Sequence, residues 1–167
     1  MKQKETFLAK VPISDHHVYS FIVNRYGSGE PIIHLNKKNL LGTLIELSAE
    51  KIGYQHALPK GKFEHKYFIE FRFSDRLKNR FLSREKLLLI SEFFDKNFKD
   101  IFLLETEIMV SLGISDYEAV ERFMEKYGIV EDATIADTLR KRWRDKQKYL
   151  KRKYEIKLGD LYPEKTP

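Results

Sequence analysis

Along Tyr67-Phe68-Ile69-Glu70-Phe71-Arg72-Phe73, the residues Tyr67, Ile69, Phe71 and Phe73 alternate onto one face, with Glu70 and Arg72 on the other. A period of two over seven residues predicts a half-buried strand. Upstream, Thr6 to Val11 is a shorter β-prone run that Pro12 is expected to stop. The run His17-Val18-Tyr19-Ser20-Phe21-Ile22-Val23 is rich in β-branched and aromatic residues. It leads through Tyr26 to Gly27-Ser28-Gly29, after which Pro31 to Leu35 resumes extended character. Two such runs joined by a glycine-containing loop predict a β-hairpin. The alternative is a helix over 16–26, capped by Ser14 or Asp15, because Val18, Phe21 and Ile22 also fit helical spacing.

Elsewhere the apolar period is that of a helix. Asn36 is an N-cap candidate for a helix over about 37–52, with Leu40, Leu41, Leu44, Ile45 and Ile52 as its stripe and Gly53 at the C′ position. A loop with Pro59 and Gly61 follows. From Ser74 onward the whole chain reads as helix, beginning with a short basic segment from Asp75 to Leu82. Ser83 caps a long stretch to about Leu112, with a break expected near 97–100, and Gly113 ends it. Ser115 and Glu118 form a capping box for a helix through Tyr127, closed by Gly128. Asp132 or Thr134 starts the last helix, which is expected to run to about Leu158, before Gly159 and Pro163. These elements predict an α+β protein: a small antiparallel sheet with a packed helix, then a helical half ending in a long basic helix. The seam is expected near 74–83, giving a sheet layer over 1–82 and a helical region over 83–167.

Charge sharpens this picture. The 167 residues carry a formal +6, but residues 140–157 hold ten basic and two acidic groups, while residues 87–139 hold four basic and twelve acidic ones. A +8 helix beside a −8 block is an unusual segregation. Ile135, Leu139, Trp143, Leu150 and Tyr154 make one apolar stripe on the last helix, so Arg140, Lys141, Arg142, Arg144, Lys146, Lys148, Lys151, Arg152 and Lys153 fall on its other faces. Such side chains replace counterions condensed on phosphate, and an arginine fork also matches guanine or phosphate. Arg76, Lys78, Arg80 and Arg84 form a second basic cluster. Within 115–158 the order helix, Gly128, Ile129, turn, helix is that of a helix-turn-helix, although Val130 to Ala133 makes the turn long and Met124 is bulky for a tight crossing. These features predict binding to nucleic acid, double-stranded DNA in the first place, by a regulator or accessory factor rather than an enzyme. A homodimer on a two-fold site is compatible with that expectation.

Two rival readings come from the same residues. The basic helix would instead dock on an acidic protein partner, or on residues 87–139 of another copy. A metal-dependent nuclease would draw on His16, His17, His34, His56 and His65, with Asp15, Glu64 and Glu70 as oxygen ligands. No His-x-x-x-His or His-Glu-x-x-His spacing supports that site, and adjacent His16 and His17 would face opposite ways on a strand. Gly27-Ser28-Gly29 has neither the Lys-Ser/Thr of a phosphate loop nor the G-x-G-x-x-G order, so it reads as a turn. Zero cysteines exclude disulfides, iron–sulfur clusters and thiolate zinc sites. No run approaches the roughly 18 apolar residues of a membrane span, and no apolar signal segment follows Met1-Lys2-Gln3-Lys4-Glu5. A cytoplasmic protein without a cofactor is therefore expected.

Overall fold

The computed structural model describes residues 7–35, 40–51, 66–73, 80–130 and 132–161. The protein is α+β, and the chain divides into two compact units: residues 1–99 with 127–129, and residues 100–126 with 130–167.

The first unit is built on three strands. β1 (Phe7–Ile13) pairs antiparallel with β4 (Tyr67–Phe73), setting Val11 opposite Ile69 and Lys10 opposite Glu70. β2 (Ile32–His34) pairs parallel with β4, setting Ile33 opposite Phe71. With β4 in the centre, the sheet is mixed rather than wholly antiparallel. β1 does not stop at Pro12, which lies opposite Phe68. It can stay because β1 is an edge, where a missing N–H breaks no ladder bond on the open side. The alternation along β4 is realised: Ile69 and Phe71 are fully buried, and Glu70 and Arg72 are half-buried.

Residues 16–26 form helix α1 (His16–Tyr26), not the first arm of a hairpin. Strand alternation would have put Val18, Ser20 and Ile22 inside and Phe21 outside. The helical period buries Phe21 and Ile22 together, both at 0 % exposure, with Val18 one turn earlier. Asp15 takes the extended N-cap conformation, and its carbonyl accepts the first helical bond, from Tyr19 N–H at 3.0 Å. The helix ends where Gly27 and Gly29 both donate to Val23 O, with Ser28 and Gly29 at positive φ.

α2 (Leu40–Ser48) stops earlier than its apolar stripe suggests, because Glu50–Lys51 is a short strand, β3. Its partner is β5 (Arg80–Phe81), so the end of the basic segment expected to be helical is extended. The proposed caps Asn36 and Gly53, and the loop with Pro59 and Gly61, lie outside the described residues. α3 (Arg84–Ser111) runs unbroken through 97–100. Ser83 Oγ accepts from Lys86 N–H at 3.4 Å at its start. At its end Gly113, at φ +88, donates to Val110 O and Ile114 donates to Met109 O, a Schellman closure. The first unit holds the part of α3 up to Lys99. There Phe94 stacks parallel on Phe71 at 5.8 Å between ring centres, and Phe98 meets Phe21 edge-on at 5.3 Å. Tyr127 joins this cluster 4.8 Å from Phe21, fixed by hydrogen bonds from Asn24 Nδ2 to its carbonyl (2.8 Å) and from the Arg25 guanidinium to its hydroxyl (2.9 Å).

The second unit holds the rest of α3 with α4 (Asp116–Lys126) and α5 (Ala133–Leu161). The capping residues act where expected: Glu118 N–H donates to Ser115 Oγ at 3.2 Å, and Thr134 N–H to Asp132 Oδ1 at 2.9 Å. Ala119, Val120, Phe123 and Met124 of α4 are buried, with Phe123 edge-on to Phe102 at 5.1 Å. Tyr117, at the helical spacing of Val120 and Met124, is nevertheless 56 % exposed. α5 continues through Gly159 to Leu161. Six residues, 127–132, separate α4 from α5, more than the three or four of a helix-turn-helix turn.

Candidate nucleic-acid interface

α5 is held by its first three turns. Ala136, Leu139 and Trp143 are buried at steps of three and four residues, a spacing that keeps them on one side of the helix. The stripe stops there. Leu150 is only half-buried, Tyr154 is 62 % exposed, and no residue from Arg144 to Tyr154 is buried.

The basic residues divide by their angle around this helix. Arg140 lies beside the packed side, its guanidinium 3.1 Å from Asp137, 3.8 Å from Glu121 and 3.8 Å from the Tyr117 ring centre. Lys146 reaches Glu107 at 2.6 Å. Arg142 is half-buried, and one of its terminal nitrogens is buried without a hydrogen-bond partner. Lys141, Arg144, Lys148, Lys151 and Arg152, in contrast, are all exposed and have no ion pair among the described residues. Lys141, Arg144, Lys148 and Lys151 follow at three- and four-residue steps, and Arg152 is four residues from Lys148, so the five share an arc of about 100° that faces away from Ala136, Leu139 and Trp143. From Lys141 to Arg152 the row is about 17 Å long at 1.5 Å per residue. Asp145 flanks it, and Lys153 lies on another side, 6.0 Å from the Tyr149 ring centre.

No carboxylate of the acidic block pairs with this row among the described residues. Among the described residues, Glu107, Glu121 and Asp137 reach α5 cations, while Glu105 binds Lys126 and Glu118 binds Arg122. Of the nine basic residues from Arg140 to Lys153, Arg140 and Lys146 are the two so engaged.

Arg80 sits in β5, in the first unit, with a guanidinium nitrogen 3.4 Å from Ala49 O and 3.5 Å from Glu46 O. Arg76 and Lys78 lie outside the described residues. Among the histidines, His16 packs its ring against Tyr67 and Tyr19, and His17 against Phe98 at 5.1 Å. His34 is exposed on β2, and His56 and His65 lie outside the described residues. No group of three or more His, Asp or Glu side chains suited to a metal ion occurs among the described residues. Among these residues no helix is long and apolar enough to cross a membrane.

The Arg140–Tyr117 contact was not anticipated from the sequence, since Tyr117 fits the inner apolar spacing of α4 as well as Val120 does. Comparison with protein-family models, curated proteins and solved structures finds no match to this chain.

Proposed function

We propose that this protein binds double-stranded DNA through the exposed side of α5, with Lys141, Arg144, Lys148, Lys151 and Arg152 as phosphate contacts. The observation that carries this reading is their arrangement. Five cations share one arc of a helix, turned away from its packed side, and no carboxylate of the described residues holds them. Fold stability does not account for such a row, because even paired surface charges contribute only about 0–1 kcal/mol each. A polyanion does account for it, through counterion release. The stretch from Arg144 to Tyr154 contains no buried residue on any side, as a helix needs in order to sit in a major groove about 12 Å wide. Arg140 and Lys146, tied to carboxylates, support the helix rather than contact the phosphates.

Fluorescence anisotropy with a labelled duplex at two salt concentrations tests this directly. Binding is expected at low salt and to weaken steeply as salt rises. The triple variant Lys141→Ala, Arg144→Ala, Lys148→Ala should bind more weakly, with the slope of log K against log salt reduced by about 0.9 for each phosphate that is no longer neutralised. Absence of binding at low salt, or a triple variant that binds like the wild type, overturns the reading.

A further inference from the structure

The sheet of the first unit has a notch where β2 begins. Glu70 N–H donates to Pro31 O at 2.9 Å, and Arg72 O accepts from Leu35 N–H at 2.9 Å. In a strand the N–H and C=O of one residue face the same side, as do those of the residue two along, so the even-numbered residues of β4 turn theirs toward β2. Because β2 starts at Ile32, opposite Glu70, the N–H and C=O of Phe68 face that side with no strand beside them among the described residues. A cavity of about 540 Å³ occupies the place, lined by Lys10, Tyr19, Pro31, Lys66, Tyr67 and Phe68 among others.

Three features of this notch select a ligand. Phe68 presents its main-chain N–H donor and C=O acceptor side by side. The Tyr19 and Tyr67 rings lie 5.4 Å apart at 33°, with His16 against Tyr67 at 5.1 Å, and so form a braced aromatic wall. The lysines differ: Lys10 is held by Glu70 at 3.2 Å, whereas Lys66 is exposed and has no ion pair among the described residues. A hydrogen-bonding edge, a flat ring and a negative charge together describe a nucleotide. The volume lies in the range of about 300–1,000 Å³ usual for small-molecule sites.

We propose that this notch binds a nucleotide, its base edge on the main-chain N–H and C=O of Phe68, its ring against Tyr19 and Tyr67, and its phosphate at Lys66. Nucleobases carry adjacent acceptors and donors that match the N–H and C=O of one strand residue, stack on tyrosine with little regard to sequence, and bring the phosphate that a lysine takes as a point charge. An added peptide strand fits less well, because β4 begins at Tyr67 and leaves too short a free edge for strand addition. The site lies in the first unit and stands independently of α5.

The test is a titration of the full-length protein, followed by backbone amide NMR, with adenosine 5′-monophosphate and in parallel with a short single-stranded oligodeoxyadenylate. Saturable shifts centred on Lys66 to Glu70 are expected, distinct from any at α5. Lys66→Ala, an exposed substitution, should weaken binding about tenfold, while adenosine lacking phosphate should bind wild type and variant alike. Saturation by the mononucleotide identifies a free nucleotide as the ligand, and saturation by the strand alone identifies one nucleotide of a single strand. No shift at Phe68 with either probe, equal affinity in wild type and Lys66→Ala, or the same shifts with inorganic phosphate alone overturns the proposal.

Discussion

Gly128 stands at φ +58, and Asn24 Nδ2 lies 2.9 Å from where a β-carbon would be. That amide is committed to Tyr127 O at 2.8 Å and Ser20 O at 3.0 Å, so it cannot withdraw without losing both bonds. Gly128→Ala combines left-handed strain with this close approach and should destabilise the fold by about 1–3 kcal/mol, read from chemical denaturation. A second pair of substitutions contrasts two residues of the same apolar spacing. Trp143 is 4 % exposed and Tyr154 is 62 % exposed. Trp143→Ala should cost about 3–5 kcal/mol, and Tyr154→Ala no more than about 0.5 kcal/mol. Similar costs for the two would mean that the apolar stripe is buried along its whole length.

At the scale of elements, the strength of each local signal decided what could be read in advance. Ser115 caps α4, and Ser115→Ala should cost about 1 kcal/mol of stability, measurable by thermal unfolding. That cap, Asp132 at the start of α5 and Gly113 at the end of α3 were all legible because each rests on a side chain or glycine acting within a few residues of itself. β4 was legible for a related reason: the face of Tyr67, Ile69, Phe71 and Phe73 is apolar along its whole length. Residues 16–26 were harder, since β-branched and aromatic residues there favour a strand, and only the joint burial of Phe21 and Ile22 by tertiary packing settles a helix. The parallel pairing of β2 depends on contacts about forty residues away in the chain, which local pattern does not encode. At the candidate interface, the charge row was legible and its division was not. Arg140 and Lys146 differ from Lys141 and Lys148 by their angle around α5 and by where Glu107, Glu121 and Asp137 lie.

At the scale of the whole molecule, a net +6 hides two opposed blocks, and their effects should separate by experiment. Among the described residues the ion pairs that join them are made by Arg140 and Lys146 alone, each to carboxylates that are exposed to solvent, so raising salt should change thermal stability little, while duplex affinity should fall steeply. A melting temperature as salt-sensitive as the affinity would show the blocks to be mutually neutralised.

The unburied stretch of α5 from Arg144 to Tyr154 has an energetic consequence of its own. With no buried side chain, and with Lys146–Glu107 as its ion pair to another helix among the described residues, its helicity rests mainly on local terms, and Arg144 with Lys148, or Lys148 with Arg152, places like charges one turn apart, which opposes the helix. A polyanion laid along that side would remove the repulsion. Amide protons there should therefore exchange quickly in the free protein and slowly once heparin or a duplex is added, so that ordering of the last turns and capture of the ligand become a single event.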